Sequence, residues 1–444
     1  MSGIQQTQTV RSEAAARPAL TLVGRDRGNA ARSALEDRAS RSQLAFWCVA
    51  AVFLVVMAGT TLPSPLFGLY EQRLHISSLS VTVIYGIYSV GVVVALAVLA
   101  RFGSGIGLRT RLAAGLALSA VSAAVFLGTT SLGLLIAARV FTGLAAGLTS
   151  GTATSAMIEL GGRGRRARSA VIAVGVSFGG LAVGSAMSGV LSVLGSGALT
   201  LPFVIDLIAT LAIAPVLLAV ANRSKDSSAT EAVSKDERGP GGVESGSSGA
   251  LFASPRIRRL FIQAIVPGGV GFAANGLVAA VAAVFLSDYL KLSNRALAGV
   301  VLAILFLATA AGQLIVRRTS PRLAPIIGSF GLIAGLALLA VTLLAPSLPG
   351  LIAASMVIGA SAGVCTGAGL VSLAITVPKS QLTKMTAWYY VALYGSITVP
   401  VVGAWLIART TGIATAGLVV CIALVIVVVA VLISLVHERT SQPT

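Results

Sequence analysis

The sequence predicts an all-α membrane protein of twelve transmembrane helices, arranged as two parallel six-helix repeats. Three observations predict it. Twelve apolar stretches of helix length follow one another along the chain, each long enough for the ~20 residues that cross ~30 Å of hydrocarbon. The first six match the last six at one constant offset, the distance from Gly143 to Gly359: Gly147 and Gly151 fall on Gly363 and Gly367, Phe178 and Gly179 on Tyr394 and Gly395, and Arg101 on Arg317. A register held over so long a span points to duplication. Finally, 56% of the residues are hydrophobic and only 10% charged, with a mean hydropathy of +0.94, too apolar for a water-soluble domain. The short alternating segments of a β-barrel do not occur.

Residues 1–43 are polar and rich in Arg, Ala and Ser, with no apolar core or cleavage site of a signal peptide. They read as a disordered tail, with an amphipathic surface helix around Arg27–Arg41 as the alternative. The first repeat, 44–221, holds runs near 44–68, 77–100, 111–130, 132–158, 169–191 and 199–221. Pro63 and Pro65 should kink the first of these, and the Gly143/147/151 ladder should let the fourth pack closely on a neighbour. A Ser/Gly/charge-rich linker, 222–258, precedes the second repeat, 259–436, with runs near 260–286, 296–316, 323–345, 350–377, 386–408 and 411–436. Pro400 should kink the eleventh, and 437–444 form a short tail. Cys48, Cys365 and Cys421 all lie in apolar runs with no metal-ligand spacing, as inert membrane cysteines do.

Orientation follows from Lys and Arg. With the N-terminus inside, the inner loops and linker hold nineteen of them, including Arg109, Arg111, Arg163, Arg165, Arg166 and Lys384. The outer loops hold four: Arg73, Lys291, Arg295 and Arg409. Both termini are therefore expected in the cytoplasm. The formal charge of +18 reads as this topology signal and as contact with anionic lipid, not as a nucleic-acid footprint.

Three local motifs carry a resemblance. The loop after the second run reads Arg101-Phe102-Gly103-Ser104-Gly105-Ile106-Gly107-Leu108-Arg109-Thr110-Arg111; the fourth run contains Arg139-Val140-Phe141-Thr142-Gly143; the fifth contains Gly180, Gly184 and Gly189 at the spacing Gly-x-x-x-Gly-x-x-x-x-Gly. With these, over about 44–436, the chain resembles the major facilitator superfamily, and within it the twelve-helix drug/proton antiporters. The resemblance implies the major facilitator fold, with the substrate site between the two halves. It also implies a cavity position for Arg139 and gating roles for Gly107, Arg109, Arg111, Gly180, Gly184 and Gly189. The chain departs from the pattern twice: Ser104 stands where an Asp helps latch the halves together, and Ser185 where a Pro is usual.

Ionisable residues inside the spans each cost a few kcal/mol or more, which marks them as candidates. Three stand there: Arg139, Glu159 and Asp206. Arg139 and Asp206 lie at similar counts from the outer ends of their helices, ~10 Å in at 1.5 Å per residue. They are expected to form a charge pair, directly or through water, either coupled to substrate and a transported proton through Asp206 or merely holding helices together. Glu159, at the inner end of the fourth run, is expected to pair with Arg109 or Arg111 as a substitute latch, or to serve as a second proton site. The equivalent positions in the second repeat are Ser355, Ile375 and Ile422, so the polar chemistry is concentrated in the first. For substrate contact the candidates are Arg139, Asn275, Tyr85, Tyr88, Trp388, Tyr389 and Tyr394. Asn275 reads equally as interhelical glue, and Trp388 to Tyr390 as an interfacial belt. Gln313 reads as structural.

No nucleotide-binding Gly-x-x-x-x-Gly-Lys-[Ser/Thr] occurs, the chain has two histidines, His75 and His437, and no nucleophile–base set stands out. Catalysis, metals and cofactors are therefore not expected. The reading is a monomeric secondary transporter of a bacterial inner membrane, exporting a hydrophobic or amphipathic small molecule in exchange for protons. Its alternatives are a proton-coupled importer or uniporter of a metabolite, and a non-transporting membrane sensor.

Overall fold

The structure, a computed structural model, describes residues 40–75, 78–103, 106–233, 255–292, 294–320 and 323–440. The regular elements among them are helices, with no strand. In chain order they are α1 (Ser40–Leu74), α2 (Ser78–Phe102), α3 (Leu108–Leu127), α4 (Leu132–Leu160), α5 (Arg166–Leu191) and α6 (Leu201–Val233). Then come α7 (Pro255–Val284), α8 (Arg295–Arg318), α9 (Ala324–Leu344), α10 (Leu348–Thr376), α11 (Lys379–Thr411) and α12 (Ile413–Thr440). Among the described residues ten helices are long and apolar enough to cross a membrane, and two shorter apolar stretches, Gly86–Phe102 and Leu201–Leu217, lie within α2 and α6. The chain is a multi-pass integral membrane protein. In hydrocarbon a helix satisfies its own backbone, which is why so apolar a chain takes this form.

The expected linker, 222–258, overlaps the ends of α6 and α7, and its 234–254 lie outside the described residues. So do 1–39 of the expected tail and the surface helix proposed there; 40–43 belong to α1. At the other terminus α12 continues to Thr440, and 441–444 lie outside the described residues.

Prolines mark α1. A 3-10 turn at Ser64–Leu66 follows Pro63 and includes Pro65, because neither ring can donate the backbone bond that would continue the α-helix. Pro400 sits inside an unbroken α11, as do Pro215 in α6 and Pro267 in α7.

Local devices recur at the sequence offset. Ser131 and Ser347 cap α4 and α10, their side chains accepting from Leu134 and Gly350 backbone N–H groups at 3.4 and 3.2 Å. Among the described residues, His75 and Lys291, after α1 and α7, are the non-glycine residues with left-handed φ, at 51° and 53°. The glycine ladders also pack alike. A Cβ on Gly143 would meet the Tyr88 carbonyl of α2 and one on Gly359 the Leu305 carbonyl of α8, so each ladder lets its helix lie directly on a neighbour's backbone.

One buried core runs across the two groups of helices, from Phe53, Met57, Leu96 and Val174 to Leu370, Met385 and Leu393. A second belongs to α7–α12, and a small third lies around the ends of α1, α2, α4 and α6. The contact between α1–α6 and α7–α12 is therefore as much interior as either group.

Candidate functional site

Arg139, on α4, is 1% exposed. Its Nη1 donates to the Thr60 carbonyl of α1 at 3.0 Å, and the guanidinium lies 4.8 Å from the Phe67 ring centre and 5.7 Å from that of Tyr88. Two aromatic faces and a carbonyl thus offset the cost of burying this cation. Asp206, on α6, is 5% exposed and bears on α1 one residue earlier, where a Cβ on Gly59 would meet its Oδ2 at 2.8 Å. Among the described residues Arg139 and Asp206 are the only charged side chains that are fully buried. Arg139 meets α1 at the Thr60 carbonyl and Asp206 meets it at Gly59, neighbouring residues of one helix, and no direct ion pair between the two is seen among the described residues.

Tyr88 packs against the core shared by the two groups of helices, which includes Tyr390 and Tyr394 of α11. Further along the same seam Tyr390 and Thr154 hydroxyls lie 3.2 Å apart, and Thr383 donates to Ser155 at 3.3 Å. Behind the tyrosines stands an aromatic cluster. Phe272 of α7 packs edge-on to Tyr394 at 5.5 Å and to Phe178 of α5 at 5.6 Å, and Phe178 lies 6.3 Å from Phe306 of α8. Helices α2, α4, α5, α7, α8 and α11 all contribute to this surface.

The remaining substrate candidates are scattered. Tyr389 is fully buried and faces α10, donating to the Thr366 carbonyl at 2.8 Å. Trp388 is half-buried, with its Nε1 enclosed and without a hydrogen-bond acceptor. Trp388 lies nine residues, ~14 Å, from the start of α11 and four residues after Lys384. Asn275 donates from Nδ2 to Thr309 of α8 at 3.3 Å, a contact within the second group. Gln313 of α8 donates to the Gly363 carbonyl of α10 at 2.7 Å. Tyr85 lies on α2, and its side chain is outside the described residues.

The gating candidates divide likewise. Gly180 and Gly184 of α5 press on α1, at Leu54 and Ala58, whereas Gly189 meets Gly299 of α8, where a Cβ would stand 2.7 Å from the Gly299 Cα. Gly107 is the N-cap of α3 with open space around it. Ser104 lies outside the described residues. Arg109 is half-exposed, and Arg111 is half-buried and feels the charge of Glu159, itself exposed at the end of α4. That attraction ties α3 to α4 and does not reach α7–α12. Arg166 does: its Nη1 donates to the Ala374 and Val377 carbonyls at the end of α10, at 3.2 and 3.3 Å. Counted in the sequence only as a loop charge, it here caps a helix C-terminus of the other group.

With this geometry in hand, the family follows from comparison. A model described as Major Facilitator Superfamily matches residues 49–345, well over half of the chain. The chain belongs to the Major Facilitator Superfamily. It is therefore a membrane transporter by family, and its apolar helices agree. No curated protein matches the chain. The superfamily match runs from α1 to the end of α9 and includes Arg139, Glu159, Asp206 and Asn275; the Trp388–Tyr394 segment of α11 lies beyond it.

Sequence reasoning missed Thr60, Thr154, Ser155, Thr383 and Arg166. One signal was available: Thr383, Ala387, Tyr390 and Tyr394 recur at helical spacing and make a single stripe along α11. Nothing comparable marks Arg166, whose partners are backbone carbonyls.

Proposed function

We propose that this member of the superfamily exports a hydrophobic or amphipathic small molecule, drug- or antibiotic-like, in exchange for protons, by alternating access. The observation that carries the reading is the seam itself. Tyr88, Tyr390 and Tyr394, backed by Phe178, Phe272 and Phe306, make an aromatic wall with hydroxyl groups, beside one buried cation, Arg139. Such a surface stacks flat apolar molecules and hydrogen-bonds their few polar atoms. It has too few fixed charges for phosphates, and sugars would want more paired donors and acceptors.

In this reading the twelve helices cross the membrane as two six-helix repeats, and the recurring caps, left-handed residues and glycine ladders support that layout. The basic loops and both termini face the cytoplasm of a bacterial cell, and the working unit is a monomer. Substrate rests against Tyr88 and Tyr394 near Arg139; Tyr389 and Asn275, turned to α10 and α8, support the wall rather than touch it. Asp206 carries the proton, being a buried carboxyl. Glu159 with Arg109 and Arg111 steadies the inner end, and the glycines of α5 let it move against α1 and α8.

The test is efflux of a panel of dyes and antibiotics from proteoliposomes under an imposed proton gradient, with Asp206→Asn alongside. Gradient-driven efflux that disappears in Asp206→Asn is the expected result. Efflux indifferent to the gradient would remove antiport, and efflux that survives in Asp206→Asn would move the proton to another group.

A further inference from the structure

The ends of α4 and α10 stand at matching places along the chain, yet they are finished differently. At α4 the end closes within its own group. Gly161 and Gly162 N–H groups donate to the Met157 and Glu159 carbonyls at 3.0 and 3.2 Å, and the Ser42 hydroxyl of α1 donates to the Leu160 carbonyl at 3.0 Å. Gly162 does this with a φ of 78°, a conformation that favours glycine at a helix end. At the constant offset, Gly161 and Gly162 fall on Val377 and Pro378. Proline cannot take that φ and has no N–H. It also turns the residue before it out of the helix, and Val377 is extended, with φ −80° and ψ 135°. So α10 cannot supply its Ala374 carbonyl with the N–H that residue 378 would bring in a continuing helix.

Arg166 supplies a donor from the other group. Its Nη1 donates to the Ala374 and Val377 carbonyls at 3.2 and 3.3 Å. The Nε and Nη2 edge of the guanidinium is enclosed, out of reach of solvent, where charged hydrogen bonds are stronger. The cation also meets the negative end of the α10 dipole. The position matching Arg166 is Leu382, an apolar residue that is fully buried, so that position offers α4 no reciprocal arm. One group carries the donor, and the other carries the unfinished end.

We propose that Arg166 is a latch between the two groups: the last turn of α10 is complete only while they are together, and the cap in turn holds that end of the seam shut. Parting the groups there strips α10 of its cap, so opening of the seam and fraying of the helix end are one event. The latch acts where α4 meets α5 and α10 meets α11, whichever molecule is carried and whichever ion drives it. Arg166 is a positioning residue, setting how often the seam is closed.

Oxidative trapping reads that closure. Ser155→Cys and Thr383→Cys are introduced together, since their hydroxyls lie 3.3 Å apart and the positions are close enough for a disulfide. Cys48, Cys365 and Cys421 are replaced, and the full chain is studied in proteoliposomes. Arg166→Gln should slow trapping about tenfold, the scale of a hydrogen bond to a charged group. Hydrogen exchange then separates a latch from a merely structural cap. In the parent, cross-linking should slow exchange of the amides of residues 375–377, because closure restores the cap. In Arg166→Gln, cross-linking should leave that exchange unchanged. Should this variant fail to fold, Pro378→Ala serves in its place: it keeps Arg166 but returns an N–H to position 378, which competes for the Ala374 carbonyl. Trapping should again slow and the protection on cross-linking shrink. Trapping at the parent rate in Arg166→Gln, or equal protection on cross-linking with and without Arg166, overturns the latch. Parent-like trapping and protection in Pro378→Ala would overturn it as well.

Discussion

Two seams join the first six helices to the last six, and they are built from different materials. Between α4 and α11 the contact is polar: Thr154 with Tyr390 and Ser155 with Thr383, with the Arg166 cap on α10 beside it. Between α5 and α8 it is bare backbone and ring: Gly189 on Gly299 and Phe178 on Phe306. A hydrogen bond is directional and is either made or broken, so the first seam distinguishes discrete states. Two glycine backbones in van der Waals contact keep their interaction through small rotations, so the second seam suits a pivot. The comparison assigns holding to one seam and turning to the other.

The strongest way to break it is to load the pivot. Gly189→Leu forces bulk into a contact where even a Cβ would stand 2.7 Å from the Gly299 Cα. It should cost about 3 kcal/mol, the upper range for overpacking. Thermal unfolding in detergent should show a lowered Tm, and efflux should fall with it. A variant with unchanged Tm and efflux would mean that α5 and α8 have room to part, and the pivot would be lost.

Next comes the cap on the polar seam. Arg166→Ala releases two C-terminal carbonyls of α10 and should loosen the neighbouring end by about 1–2 kcal/mol. Hydrogen exchange over residues 372–385 reads this, as faster exchange with Tm only slightly lowered. Equal exchange in both proteins would show that the hydroxyl pairs hold the seam alone.

Smaller effects sharpen the same contrast. Tyr390→Phe should weaken the polar seam by about 1 kcal/mol, visible as faster exchange of the same segment, while leaving exchange at the start of α8 unchanged. Glu159→Gln should have the least effect on either seam, within about 0.5 kcal/mol, because its charge acts on Arg111 in its own group of helices. A large change of inner-end exchange in Glu159→Gln would make it a latch after all.

Much of the scaffold was legible in the chain. The helix positions follow from apolar runs, since hydrocarbon admits one backbone solution for such stretches. The largest displacements are at the end of α6, which runs on to Val233, and at the start of α11, where Lys379 and Lys384 precede the apolar core yet lie within the helix, because the ladder of backbone bonds continues past the end of the hydrophobic run. The cost of burying charge likewise drew attention to Arg139 and Asp206. Where each meets α1 was not legible, because position can be counted along a helix but the side that faces a neighbour cannot. The seam hydroxyls Thr154, Ser155 and Thr383 were hidden for a related reason: apolar spans contain many Ser and Thr, most of which bond their own helix, as Ser355 does to the Leu351 carbonyl at 2.7 Å.

The sequence by itself determined that this is a multi-pass membrane protein, where most of its helices lie, and that its buried charges, Arg139 and Asp206, fall in the first half while Ser355 and Ile422 occupy the matching places in the second. These are properties of single segments, settled by the transfer of each residue between water and hydrocarbon. Only the tertiary structure decided that Asp206 rests on Gly59, that Arg139 holds Thr60, and that Arg166 reaches the end of α10. Those are relations between segments far apart in the chain. All three have backbone as the partner, and backbone is the same at every residue, so no pattern of side chains announces it.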